Sequence, residues 1–160
     1  MRVIAIDPGY GRCGVAIVEK NGSSSETLLY SDCIETSQNN DFHTRLDELG
    51  NEIERLVEQY QPDACGIETL YFNSNQKTAM KVAQVRGMIA YIAESAGLNV
   101  FEYTPSQIKN AVTGYGKSDK RHVITMLEQL INISKEIQYD DEYDAIAVGI
   151  TCVASETGVH

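Results

Sequence analysis

The first eighteen residues constrain this chain most. Val3 to Ile6 is an apolar run that ends on Asp7-Pro8-Gly9, and Cys13 to Val18 is a second, with a glycine-rich turn between them. Each run is too short for a stable helix and is bounded by turn residues, so the pair reads as two antiparallel strands of a hairpin. Thr27 to Ile34 follows the Asn21-Gly22-Ser23-Ser24-Ser25 turn and carries Leu28, Leu29, Tyr30 and Ile34. That pattern predicts a third strand and a meander at the start of the chain.

The period then changes. Leu46, Leu49, Ile53, Leu56 and Val57 recur at three- and four-residue spacing between Phe42 and Tyr60, which predicts an amphipathic helix stopped by Gln61-Pro62-Asp63. Ala64 to Ile67 is a short buried strand ending at Glu68, and a long helix is expected from about Asn75 to Ala96. Asn99 to Tyr103 gives a fifth strand. Pro105 suits the first turn of a helix reaching about Val112, and further helices are expected from about Asp119 to Ile131 and from about Asp141 to Val153. An antiparallel meander followed by helix-strand units predicts an α/β fold: a five-stranded mixed sheet, its first three strands antiparallel, flanked by helices on both faces. At 160 residues the chain is expected to form a single domain, residues 1–160, with no internal repeat or linker.

Composition excludes some classes. No apolar run approaches the roughly 18 to 20 residues of a membrane span. Asp7 interrupts the place where a signal peptide keeps its apolar stretch, so a cytoplasmic protein with no membrane partner is expected. Cys13, Cys33, Cys65 and Cys152 are scattered, without zinc-ligand spacing, and read as reduced core residues. The net charge of −10 argues against a nucleic-acid partner until its distribution is considered. Lys77, Lys81, Arg86, Lys109, Lys117, Lys120 and Arg121 give the segment from Lys77 to Arg121 seven basic residues against three acidic, while the remainder has six against twenty. Such a segment is either a solvated face or a DNA contact surface.

Ligands of mixed sheets bind beside the carboxyl ends of the strands, where Asp7 and Glu68 stand. Asp141 and Asp144, three apart on the last helix, share one of its faces. Taken singly, Asp7 or Glu68 is a turn former and Asp141 a helix cap. Together, four convergent carboxylates repel one another unless a cation neutralises them. Hard oxygen ligands suit Mg²⁺, with Mn²⁺ as a substitute, and magnesium bound this way also takes phosphate oxygens from a substrate.

Over nearly its whole length the chain resembles the RuvC-type Holliday-junction resolvases of the ribonuclease-H-like superfamily. The resemblance rests on Ile6-Asp7-Pro8-Gly9 with Gly14-Val15, Ile67-Glu68 with Tyr71, and Lys77-Thr78-Ala79 to Gln84-Val85-Arg86-Gly87. It continues in Thr104 to Lys109, Val112 to Lys120, and Asp141-x-x-Asp144-Ala145-Ile146-Ala147-Val148-Gly149-Ile150-Thr151. It implies a ribonuclease-H-like fold and a nuclease that resolves four-way DNA junctions in recombination and repair, leaving 5′-phosphate and 3′-hydroxyl ends. It further implies that Asp7, Glu68, Asp141 and Asp144 are the metal-binding catalytic acids, that Lys109 and Lys120 contact the junction backbone, and that Tyr71 or its neighbour Phe72 lies near the crossover. Lys77, Lys81, Lys117 and Arg121 are further DNA-binding candidates from the basic segment. Hydrolysis by two Mg²⁺ ions about 3.5 to 4 Å apart, bridged by Asp7, is the expected mechanism.

Two symmetric cuts call for a two-fold dimer. Ala79, Ala83, Gly87, Ala90 and Ala93 offer either a close-packing dimer face or a face laid on the sheet. The branch-migration proteins RuvA and RuvB are partners implied by the resemblance. The Arg12-x-Gly14-Val15-Ala16 stretch also resembles the YqgF-type nucleases, the enzymatic alternative; a nucleic-acid-binding module that does not cut is the other.

Overall fold

The computed structural model describes residues 1–22, 24–69 and 76–156. The elements run β1 (Arg2–Asp7), β2 (Arg12–Glu19), β3 (Thr27–Glu35), α1 (Phe42–Tyr60), β4 (Ala64–Glu68), α2 (Gln76–Ser95), β5 (Asn99–Tyr103), α3 (Pro105–Thr113), α4 (Lys120–Leu130) and α5 (Asp140–Glu156). These are the elements expected from the sequence, with ends displaced by a few residues. Asp119 caps α4 rather than opening it, its side chain accepting from the His122 backbone N–H. Thr104 and Gln107 form a reciprocal capping box that starts α3 at Pro105.

The sheet order is β3-β2-β1-β4-β5. β1, β2 and β3 pair antiparallel, and β4 and β5 join parallel to β1. This is the ribonuclease-H-like arrangement. Because side chains alternate along a strand, each central strand serves two cores. Val3 and Ala5 of β1 and Ala16 and Val18 of β2 face α3, α4 and α5, while Ile4, Ile6, Val15 and Ile17 face α1 and α2.

α5 is the buried helix. Every residue from Ala145 to Val153 is buried, as expected of a helix that is apolar around its circumference. One side lies on the sheet, and α3 and α4 cover the other. The small residues of α2 differ in their surroundings. Ala79 and Ala93 are buried with Val85, Ile89 and Ile92, whereas Ala83 and Gly87 stay exposed beside Met80 and Tyr91. All four cysteines are free and buried. Among the described residues, no helix is long and apolar enough to cross a membrane.

Candidate active site

Two adjacent strand ends supply the first pair of acids. β1 and β4 run parallel with Ile6 opposite Ile67, so the next residues, Asp7 and Glu68, leave the sheet side by side at its carboxyl edge. On the other flank Asp7 is paired with Gly14 of β2. The first turn of α5 rests on that glycine: a β-carbon at position 14 would fall 1.8 Å from the Asp141 carbonyl oxygen. The missing side chain thus lets the helix start beside Asp7, carrying Asp141 and, one turn on, Asp144.

The electrostatics record the crowding. Burial pushes the Asp7 carboxyl up to about 8, and the neighbouring charges of Glu68, Asp144 and Asp141 add to that; Lys120 opposes it. Glu68 is also raised, first by burial and then by Asp144, against a hydrogen bond from Asp7 and the pull of Lys120 and Lys109. Asp144 is raised by burial and held back by Lys120. Lys120 Nζ lies 2.7 Å from Asp144 and 3.5 Å from Asp140, and Arg12 Nε lies 3.4 Å from Asp141.

Among the described residues, no three acidic, histidine or cysteine side chains already stand at ligand distance around one point. The donor chemistry nevertheless fits a hard divalent cation. Burial first, and then the charges of Glu68, Asp144 and Asp141, disfavour the ionised form of Asp7, and a divalent cation would offset both effects.

Beside the acids is a cavity of about 270 Å³ with Glu68, Lys109, Lys120 and Asp144 on its wall and Ile108 and Val123 among its apolar residues. It joins the expected backbone-contacting lysines, Lys109 and Lys120, to the carboxylates. The other basic candidates scatter: Lys77, Lys117 and Arg121 are exposed, and Lys81 packs its ammonium 5.1 Å from the centre of the Tyr10 ring. Tyr71 and Phe72 lie outside the described residues, as does Asn75, the expected start of α2.

Sequence reasoning passed over three groups near the site. Arg12 enters the sequence reading only through the stretch shared with the YqgF-type nucleases, yet its Nε stands 3.4 Å from Asp141. Asp140, on the opening turn of α5, competes for Lys120. Glu142 is buried, accepts from the Ser31 hydroxyl at 2.6 Å and pairs with Lys135 at 2.7 Å, tying the start of α5 to β3. No local pattern marks that contact, since it links residues far apart in the chain.

Comparison with known proteins agrees with this architecture. A family model described as "Crossover junction endodeoxyribonuclease RuvC" matches residues 3–152. The protein of that name from Thermosipho melanesiensis is 41% identical over 157 residues, covering 98% of this chain and 99% of the relative. Its counterpart from Brevibacillus brevis is 39% identical over 151 residues, covering 94% and 90%. Among solved structures, Thermus thermophilus RuvC in complex with Holliday junction substrate superposes with a TM-score of 0.90 at 26% identity, covering 99% of this chain and 96% of that one.

Proposed function

The chain belongs to the RuvC family of crossover junction endodeoxyribonucleases, and from that premise we propose that it resolves four-way DNA junctions by two symmetric, metal-dependent strand cuts. What supports the reading is that Glu68, Asp144 and Asp141 all act on the buried Asp7 carboxyl at one sheet edge and raise it together. Residues 1–160 act in this reading as a single nuclease domain.

Asp7, Glu68, Asp141 and Asp144 would hold two Mg²⁺ ions, or Mn²⁺ in their place. When bound, such ions polarise a phosphodiester and acidify the attacking water. The protein's own part is to aim and to exclude. Asp7 and Glu68 are held by strand pairing, and Asp141 and Asp144 by the buried helix, so the ligand cage is built on rigid elements. Lys109 and Lys120 line the adjoining cavity and would bind the backbone phosphates next to the cut. Lys120 would thereby exchange its Asp144 partner for a phosphate, leaving that carboxylate available to a cation. Cleavage at the 3′ oxygen leaves 5′-phosphate and 3′-hydroxyl ends.

A dimer supplies the second cut. The exposed stripe of Met80, Ala83, Gly87 and Tyr91 along α2 is an apolar, small-residue surface suited to close helix pairing. Tyr71 or Phe72 would stack at the crossover, Lys77, Lys81, Lys117 and Arg121 would add backbone contacts, and RuvA and RuvB would act on the same junction in the cytoplasm. The test is cleavage of a synthetic four-way junction against linear duplex, with Mg²⁺ and with EDTA. Junction-selective cutting that EDTA abolishes is expected; equal cutting of duplex, or none of either, overturns the proposal.

A further inference from the structure

The polar hollow on the far side of Arg12 is larger than the cavity between the lysines and has no part in the reaction just described. It is a cavity of about 760 Å³ between the β1–β2 turn and the loop after β3, with Arg12, Glu35, Thr36, Gln38, Arg45 and Tyr139 on its wall. Arg12 and Arg45 lie outside the basic segment of the sequence, and the fold brings them together here.

Arg45 is held in a fixed orientation. Its Nε donates to the Thr36 hydroxyl at 2.8 Å, and that buried hydroxyl in turn donates to the Tyr10 carbonyl oxygen. The guanidinium stacks 4.8 Å from the centre of the Tyr10 ring. A β-carbon on Gly11 would come within 3.0 Å of Arg45 Nη2, so the glycine backbone is what gives that nitrogen its place. Arg45 lines the hollow and makes no ion pair with any described residue, and beyond the Nε bond to Thr36 a guanidinium has four further N–H donors. Arg12 stacks 4.9 Å from the Tyr139 ring, and its only described ion pair is the 3.4 Å contact to Asp141. The carboxylate in the hollow, Glu35, is engaged by the Tyr139 hydroxyl. Lys81, also on the Tyr10 ring, extends the positive surface.

We propose that this hollow is a second phosphate site, in which Arg45 and Arg12 grip the backbone of the DNA arm that leaves the acids on the β3 side. The inference rests on the reading of the chain as a junction nuclease and adds a surface to it. Planar guanidinium groups locked by stacking and by a buried hydroxyl are pre-organised for phosphate oxygens and lose little side-chain entropy on binding. The Arg12 to Asp141 contact sets the hollow next to one of the carboxylates. A protein of net charge −10 needs such local positive surface to approach DNA.

Gln38 gives the cleanest test, because it lines the hollow and is exposed. Binding of a fluorescent four-way junction is measured in EDTA across a salt series for the intact chain and for Gln38→Lys, Gln38→Glu and Arg45→Gln. Gln38→Lys should tighten binding and steepen the slope of log K against log salt by about 0.9, the increment for one added phosphate contact. Gln38→Glu and Arg45→Gln should weaken binding, the latter with a slope shallower by about the same amount. If the unaltered chain binds and cuts junctions while all three variants keep its slope, this proposal alone fails. If the variants change only inhibition by inorganic phosphate, the hollow is a small-anion site and the proposal is likewise overturned. A chain that neither binds nor cuts junctions would instead remove the functional reading on which it rests.

Discussion

Gly14 and Asp141 touch backbone to backbone: the carbonyl oxygen at the start of α5 occupies the space a side chain on β2 would fill, 1.8 Å from where its β-carbon would be. The contact decides how near the helix acids come to Asp7. Gly14→Ala should therefore push the first turn of α5 outward, costing about 1 to 3 kcal/mol in an overpacked core. Activity should fall further than stability explains, because the helix acids move away from Asp7. Urea midpoints and cleavage rates on one preparation check this; a variant that is destabilised but cleaves normally would show that the acids need not be this close.

Replacing Asp7 by Asn should abolish cleavage and stabilise the metal-free protein. The Asp7 carboxyl is raised to about 8 in the fold, above its unfolded value near 4. A carboxyl raised on folding takes up a proton that the unfolded chain lacks between those values. Its contribution to stability is therefore complete below about pH 4 and is lost as pH rises through about 8. In EDTA, stability of the unaltered chain should decline across that window, and Asp7→Asn should flatten the decline and melt higher at pH 8. Added Mg²⁺ should raise the melting temperature of the unaltered chain and leave the variant nearly unmoved. Identical melts with and without Mg²⁺ for both proteins would count against a cation at this edge.

Lys120→Ala should separate metal binding from DNA binding. Its ammonium lies 2.7 Å from Asp144, where it would compete with a cation. Without DNA the variant should bind Mg²⁺ more tightly than the unaltered chain, as read by calorimetry. With DNA, both Lys120→Ala and Lys109→Ala should bind the junction more weakly, each with a salt slope shallower by about 0.9. Unchanged slopes would move the backbone contacts elsewhere.

Glu142→Ala should cost about 2 to 3 kcal/mol. The side chain is 4% exposed, and its removal leaves Ser31 and Lys135 without their partner beneath the start of α5. Lys135→Ala should cost less, because the lysine is half exposed while Glu142 keeps the Ser31 hydroxyl. Chemical denaturation ranks the two. Equal losses would mean that Glu142 gains nothing from Ser31.

Local sequence was enough for the elements and for the direction in which the strand residues face. Alternation sends Val3 and Ala5 to one core and Ile4 and Ile6 to the other, and a strand has a period of two whatever lies beyond it. Asp7 and Glu68 were legible for the same reason, since each follows directly on a buried run. The spacing of Asp141 and Asp144 likewise assigns them one helix face. Those relations depend on neighbours within a few residues, where period and turn chemistry act.

Distance between segments was not legible. Which small residues of α2 turn inward depends on where that helix lies on the sheet, so Ala79 and Ala93 became core while Ala83 and Gly87, of similar size and spacing, did not. Arg45 reaches the hollow beside Arg12 because α1 follows β3 closely and Thr36 is buried between them. Nothing in the charge count of either segment points to that meeting. Sequence by itself determined which side chains each element presents. Only the tertiary structure decided which of those side chains share a low-dielectric space, and that sharing is what lifts Asp7 far above an ordinary carboxyl.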